Sequence, residues 1–288
     1  MNWKKYLTVT KPGIVVGNLM VTIGAYLFAS DLEPEFLTFL GLTIGTICVI
    51  AASCVLNNYL DRSIDASMER TSKRPSVTGA ISLRIALPYA GVLLALGSWL
   101  LWNYTNAYTC WVGLFGAFWY VVVYGIVKRT TPYSTLIGTI SGATPPLAGY
   151  LAAAGRFDVV AWCLFALLVF WQMPHFYAIA IFRAKEYRQA GLPLLNLQKG
   201  LSRTVFEMRI YVTLFCMALV VFLFESYITG ISFFAMFAVA LFWLRQHNEI
   251  ASTEPNAWAR RVFRTSLSIL PVYSLLLAID PWVGSWLH

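Results

Sequence analysis

The chain has 288 residues, of which 59% are hydrophobic and 12% charged, and its net charge is +8. A soluble domain would carry about 25% charged residues. With a mean hydropathy of +0.67, the sequence excludes an ordinary cytosolic enzyme, a disordered chain and a disulfide-stapled secreted module. The fold class expected is an all-α integral membrane protein, with the lipid bilayer as its solvent.

A bilayer-crossing helix needs about 20 mostly apolar residues. In chain order, nine runs approach that length: 13–29, 36–56, 83–102, 108–127, 133–153, 159–182, 210–225, 228–244 and 262–283. The seventh and eighth are parted only by a short turn at Ser226 and Tyr227. Lys4, Lys5 and Lys11 ahead of the first run resemble the start of a signal peptide. Further spans follow at once and no small-residue cleavage site stands out, so the run is expected to be a retained first helix. Cys48, Cys54, Cys110, Cys163 and Cys216 lie singly within apolar runs, without a CxxC. They suit small core residues rather than a zinc site or disulfide framework.

Lys and Arg set the orientation. Twenty of the 21 fall in the N-terminal segment and after the second, fourth, sixth and eighth runs, leaving Arg156 alone on the other side with the acidic turn Asp31, Glu33 and Glu35. Nine transmembrane helices are therefore expected, with the N-terminus cytoplasmic and the C-terminus on the opposite side. Positive charge distributed in this way is a topology signal, and no nucleic-acid partner is implied. The chain is expected to be a single transmembrane domain over 1–288. Its active-site loops should be cytoplasmic, at about 57–82 and 183–209, since long loops in a compact protein tend to be functional.

The first loop opens NNYLDRSIDASMERTSKRP, where Asn57, Asp61, Asp65 and Glu69 recur every four residues. If the second span continues as a helix, they form a stripe rising about 6 Å per step. Unpaired carboxylates at membrane depth cost several kcal/mol. Two readings are open: a solvated, charge-laced surface loop, or a site for Mg²⁺ shared with substrate phosphates. Arg62, Arg70, Lys73 and Arg74 lie beside the acids, a combination that suits a diphosphate.

The pattern NxxxDxxxDxxxxRTxxR, from Asn57 through Asp61, Asp65, Arg70 and Thr71 to Arg74, resembles the signature of the UbiA superfamily of intramembrane prenyltransferases. The resemblance implies that Asn57, Asp61 and Asp65 hold Mg²⁺ bridged to a prenyl diphosphate. Arg70, Lys73 and Arg74 would then steady the leaving group. It also makes Lys128, at the inside end of the fourth run, a candidate diphosphate contact beyond its ordinary role as an interfacial anchor.

The sixth run ends WQMPHFYAIAIFRAKEYRQAGLPLL from Trp171. Pro174 inside it frees a backbone carbonyl and is expected to kink the helix. Most superfamily members carry a second aspartate pair here. This chain has Phe182 and Glu186 at that spacing, which leaves Glu186 as the single candidate metal ligand or base. Arg183, Lys185 and Arg188 could compensate through charge-assisted hydrogen bonds to diphosphate oxygens.

His175 is an intramembrane histidine and hence a functional candidate. Its readings are a helix-to-helix hydrogen bond beside Pro174, an iron ligand, or a catalytic acid/base. His247 and the terminal His288 are expected at the surface. In the fifth run, Gly138, Ser141, Gly142 and Ala143 precede Pro145 and Pro146, which suits close helix approach and a bend.

The runs TKPG from Thr10, SGATPPLAGY from Ser141, WQMPHF from Trp171 and FRAKEY from Phe182 are similar to one branch of the superfamily. That branch joins the farnesyl group of farnesyl diphosphate, with water, to a vinyl group of heme b. The resemblance further implies a bacterial inner-membrane location and hand-over of the product to terminal-oxidase or heme a synthesis proteins. Prenylation of an aromatic acid such as 4-hydroxybenzoate, cation-coupled transport and a non-catalytic heme-binding assembly role are the competing expectations.

Overall fold

The computed structural model describes residues 3–252 and 254–287, and no strand occurs among them. A short helix α1 (Lys4–Val9) leads into α2 (Pro12–Ala29), α3 (Phe36–Leu60), α4 (Arg62–Ala66), α5 (Leu83–Tyr104) and α6 (Ala107–Phe118). A π-helical turn over Trp119–Val123 joins α6 to α7 (Tyr124–Val127). Then come α8 (Ser134–Gly142), α9 (Thr144–Ala154), α10 (Val159–Phe182), α11 (Ala184–Gln189) and α12 (Leu195–Gln198). The chain closes with α13 (Gly200–Phe224), α14 (Gly230–Asn248) and α15 (Pro255–Leu287).

Among the described residues, 7 helical stretches are long and apolar enough to cross a membrane. The other two expected spans differ for separate reasons. Residues 133–153 form two short helices that break at Ala143, the C-cap of α8 and N-cap of α9. Pro145 and Pro146 then sit in the first turn of α9, where a missing N–H costs no helical bond. The eighth span, α14, is 19 residues long and carries Arg245 and His247 in its last turn.

Two boundaries also move. Helix α13 begins at Gly200 rather than at 210, so the second loop ends at Lys199 and Arg203 and Arg209 ride on helix. Helix α15 begins at Pro255 rather than at 262. In both cases the helix runs beyond its apolar stretch, and hydropathy marks only the apolar part. Pro174 does not interrupt α10, which is helical through Phe182.

Side-chain caps start four helices among the described residues, α15 through the Glu254 carboxylate, which accepts from the Asn256 and Ala257 N–H groups. Asn106 accepts from the Thr109 N–H at 3.0 Å, Asp158 from the Ala161 N–H at 3.1 Å, and Thr229 from the Ser232 N–H at 3.3 Å. Each satisfies one of the free N–H groups that every helix start leaves. Packing joins α3 to α5, sets α2 between α9 and α15, and sets α10 between α13 and α15. Small residues permit this closeness: a Cβ on Gly24 would lie 2.7 Å from the Ser274 carbonyl oxygen, and one on Gly97 2.8 Å from that of Gly45. Large apolar side chains such as Trp99, Trp102, Trp111 and Phe224 face outward, as a lipid-facing surface requires. All five cysteines are free, and all but the half-buried Cys163 are buried.

Candidate active site

Helix α3 ends at Asp61, whose backbone leaves helical geometry at φ −92° and ψ 3°. The register nevertheless survives into α4. The Asp61 N–H donates to the Asn57 carbonyl at 2.9 Å and the Asp65 N–H to the Asp61 carbonyl at 2.8 Å. Asn57, Asp61 and Asp65 therefore share a face, and Asn57 and Asp65 are buried. Glu69 does not join them; it lies in the turns beyond α4 and is exposed. There the Thr71 hydroxyl donates to the Asp65 carbonyl at 2.8 Å, a local bond that competes with continued helix.

A different base meets each member of the stripe. Lys11 Nζ donates to Asn57 Oδ1 at 2.7 Å, Lys128 Nζ pairs with Asp61, and Arg74 Nη1 pairs with Asp65 Oδ2 at 2.7 Å. Arg129 adds a longer contact to Asp61 at 3.6 Å and holds the Leu60 carbonyl. Burial pushes Lys11 down to about 8 and also lowers Lys128, against the opposing pull of Asp61. Taking two ammonium groups out of water carries a penalty that is offset only by such partners. Lys11 also holds a left-handed backbone, φ 53°, immediately before Pro12, a strained conformation that clusters at functional sites.

Three aromatic hydroxyls complete the surroundings. Tyr120, on the π-helical turn, donates to Asn57 Oδ1 at 3.0 Å; π-turns recur at functional sites. Tyr124 stacks on Tyr120 at 6.0 Å, with Lys128 Nζ 5.3 Å from its own ring centroid. Tyr187 of α11 is raised by burial, while the charges of Arg70, Arg183 and Arg74 pull it the other way. The second loop thus lies over the first. The two also border a cleft of about 360 Å³ lined by Ser63, Ser67, Arg129, Gln189 and Gly191, although none of the acids lines it.

Of the other bases expected at the site, Arg70, Lys73, Lys185 and Arg188 are exposed and make no ion pair among the described residues. Arg183 Nη1 pairs with Glu186 Oε1 at 2.7 Å, whereas Glu186 Oε2 is buried without a hydrogen-bond partner. Lys11, Tyr120, Tyr124, Arg129 and Tyr187 escape a reading by spacing, because each comes from another segment. Only the Lys–Pro junction in TKPG flags one of them.

His175 is buried against α15. Its Nδ1 lies 2.7 Å from Ser266 Oγ, and the Ser266 hydroxyl itself donates to the Phe263 carbonyl at 2.6 Å. With that hydroxyl proton committed, Nδ1–H must be the donor and the lone pair resides on Nε2. The ring stacks on Trp171 at 4.8 Å and meets Phe263 at 5.0 Å.

His247 is not a surface group. It is fully buried, its Nδ1–H donates to the Trp243 carbonyl at 2.7 Å, and its own carbonyl accepts two bonds from Arg209. The exposure expected of a helix end fails because α15 starts early and covers it with Trp258. His288 lies outside the described residues. A buried acid not singled out in the sequence is Glu207, held by the Tyr177 hydroxyl at 2.8 Å and Arg203 Nε at 3.0 Å.

The stripe fits a hard divalent cation. Its donors are two carboxylates and one amide oxygen, and Glu186 Oε2 is a buried acceptor with no partner. Among the described residues no three His, Cys, Asp or Glu side chains gather into a metal cage. A few carboxylates plus substrate phosphates is how Mg²⁺ is usually held.

Fold and site together define a membrane-embedded helical protein in which two carboxylates and an amide are each met by a base from another segment. The family model described as the UbiA prenyltransferase family matches residues 18–268. Protoheme IX farnesyltransferase 2 of Chromobacterium violaceum is 42% identical over 284 residues, 97% of this chain and 94% of that protein. Protoheme IX farnesyltransferase of Salmonella typhimurium is 40% identical over 282 residues, 97% and 95% of the two chains. Among solved structures, one of digeranylgeranylglyceryl phosphate synthase superimposes with a TM-score of 0.81 at 18% identity, covering 96% of this chain and 98% of that one. A UbiA homolog from Archaeoglobus fulgidus bound to DMAPP and Mg²⁺ gives 0.65 at 18% identity, covering 96% and 99%. The chain belongs to the UbiA prenyltransferase family.

Proposed function

We infer that this protein transfers the farnesyl group of farnesyl diphosphate to a vinyl group of heme b, with addition of water, to make heme o. The observation that carries the reading is the agreement over 97% of the chain with relatives named for that reaction. It stands beside a site in which Asn57, Asp61 and Asp65 are each met by a base.

In this reading Asn57, Asp61 and Asp65, with Glu186, hold Mg²⁺, which supplies positive charge to the departing diphosphate. Lys11, Arg70, Lys73, Arg74, Lys128, Lys185 and Arg188 provide donors for its oxygens, and fixed donors aimed at developing charge are an effective form of catalysis. The C1–O bond of the prenyl chain breaks and the diphosphate leaves with the electron pair. The vinyl π electrons of the heme then form the new C–C bond. The resulting cation takes the oxygen of water and loses a proton, leaving a hydroxyethylfarnesyl side chain. Burial in lipid keeps bulk water from the allylic cation before alkylation. His175, positioned by Ser266, offers its Nε2 lone pair to the heme.

The chain crosses the bilayer nine times, counting the α8–α9 pair as one crossing and α14 as another, with the N-terminus cytoplasmic. The charge asymmetry around Arg156 supports that orientation. A bacterial inner membrane and delivery of heme o to terminal-oxidase or heme a synthesis proteins complete the reading.

The test is direct. Membranes containing the protein, incubated with heme b, farnesyl diphosphate and Mg²⁺, should yield a heme heavier by one farnesyl group plus water on mass spectrometry, and EDTA should abolish it. Unchanged heme from folded protein, with product from 4-hydroxybenzoate, would transfer the assignment to an aromatic-acid acceptor.

A further inference from the structure

Two guanidinium groups converge on one aromatic ring at the end of α10. The Arg183 Cζ lies 5.5 Å from the Phe182 ring centroid, and the Arg260 Cζ, from the first turns of α15, lies 5.1 Å from it. Behind this ring aromatic side chains pack one on the next, half-buried at Phe182 and Phe263 and buried at His175 and Trp171. Phe182 meets Phe263 edge-on at 5.5 Å, Phe263 meets His175 at 5.0 Å, and His175 stacks on Trp171 at 4.8 Å. From His175 to Arg183, α10 rises about 12 Å.

The arrangement needs an explanation, because like charges sharing a ring repel. Cation–π attraction at exposed sites contributes only about 0.5–1 kcal/mol. Arg260 is exposed and makes no ion pair among the described residues. Arg183 gives Nη1 to Glu186, and a guanidinium has further N–H donors to offer. What two planar forks beside an apolar wall recognise is a pair of carboxylates on a flat apolar body, since guanidinium binds carboxylate bidentately. Heme b has that form: a planar macrocycle with two propionates on one edge and an iron that accepts an imidazole nitrogen.

We propose that Arg183 and Arg260, carried on the Phe182 ring, bind the propionate carboxylates of the acceptor, whose macrocycle edge rests on the half-buried Phe182 and Phe263 rings. This rests on the heme reading above and deepens it. It also assigns a use to Phe182. An acid at that position would pair with both guanidinium groups and withdraw them from the substrate, whereas a phenyl ring supports them and leaves their N–H donors free. Arg183 then serves the acceptor rather than the diphosphate.

The experiment compares ferric heme b with its dimethyl ester, which keeps the macrocycle and iron but lacks both charges. Purified full-length protein in detergent is titrated with each while Trp fluorescence quenching is followed. The wild type should bind the diacid at least tenfold more tightly than the diester. Arg183→Met and Arg260→Met should each narrow that ratio, the double variant should erase it, and Arg260→Met should leave farnesyl diphosphate affinity unchanged.

Equal affinity of the wild type for the two hemes overturns the proposal, whatever the variants do. Persistence of the ratio in the double variant does the same. Loss of farnesyl diphosphate affinity in Arg260→Met would reassign the pair to the diphosphate. Loss of co-purifying anionic phospholipid, with heme binding intact, would reassign it to a lipid headgroup. Heme farnesylation without discrimination between diacid and diester would defeat this inference alone. Discrimination without any product would defeat the functional reading alone.

Discussion

Lys11 Nζ donates to Asn57 Oδ1 at 2.7 Å, across 46 positions of sequence. The bond ties the residue that opens α2 to the first member of the acidic stripe, and Tyr120 reaches the same oxygen from a third segment. Lys128 and Arg74 repeat the arrangement at Asp61 and Asp65. Each oxygen donor that the proposed function gives to Mg²⁺ thus has a chain cation beside it, carried by a different segment.

Asp65→Ala should abolish farnesyl transfer while the protein remains inserted and folded. The variant removes one proposed metal ligand and leaves Arg74 without the carboxylate it meets at 2.7 Å. Mass spectrometry of extracted hemes, beside a detergent-solubilised thermal unfolding curve, separates the two effects. Retained turnover would remove Asp65 from the metal site.

Lys11→Met should weaken farnesyl diphosphate binding about tenfold, the loss of one charge-assisted contact of roughly 1.5 kcal/mol. Its stability should also respond to pH with a definite sign. Burial lowers Lys11 to about 8 from an ordinary 10.5, so between those values the unfolded chain binds a proton that the folded protein sheds. Wild-type stability therefore rises through that window relative to Lys11→Met, whose apolar side chain has no proton to shed. Unfolding midpoints of both proteins between pH 7.5 and pH 10.5, values that bracket the window (~3 units), check this. A difference that does not change with pH would rule it out.

Ser266→Ala should change how His175 is presented without removing it. The serine holds Nδ1 at 2.7 Å while its own proton goes to Phe263. Loss of that anchor frees the ring to change tautomer, and the visible spectrum of bound heme should shift toward that of His175→Ala. Farnesyl diphosphate affinity should stay the same in both. If neither variant alters the heme spectrum or turnover, His175 serves only to join α10 to α15.

Gly24→Ala should destabilise the protein by about 1–3 kcal/mol, the usual cost of overpacking. The added Cβ would lie 2.7 Å from the Ser274 carbonyl, a backbone atom that cannot swing aside, so α2 and α15 must part. Gly13→Ala, where a Cβ meets nothing within 4 Å, is the control. Equal unfolding midpoints for the two variants would contradict the packing argument.

Tyr177→Phe should cost about 1–3 kcal/mol of stability, because the buried Glu207 side chain would lose a hydroxyl donor. Denaturant unfolding of the variant beside wild type measures this. An unchanged midpoint would mean that Arg203 alone satisfies the carboxylate.

Local patterns made much of this molecule legible. The apolar runs located the long helices, and the four-residue recurrence put Asn57, Asp61 and Asp65 on one face because hydrogen bonds reaching back four residues impose that register. Glu69 shows where a local pattern fails: periodicity does not reveal that side chains such as Thr71 will capture the backbone and end the helix. Nor does hydropathy distinguish one long span from the α8–α9 pair, since Gly142 to Pro146 remains apolar while its hydrogen-bonding capacity changes.

Sequence by itself determined that the chain lives in a bilayer, which residues form the acidic stripe and that bases accompany it, because composition and short-range spacing act through solvation and helical geometry. Only the tertiary structure decided which base meets which member of the stripe. Lys11, Tyr120, Lys128 and Tyr187 come from four segments, and their convergence depends on how the start of α2, the π-turn and the end of α7 meet the end of α3, and on how α11 lies over α4 and the loop that follows it. It likewise placed His247 in the core and Arg260 beside Phe182. Burial and ion pairing are properties of neighbours in space, and the neighbours that matter here are far apart along the chain.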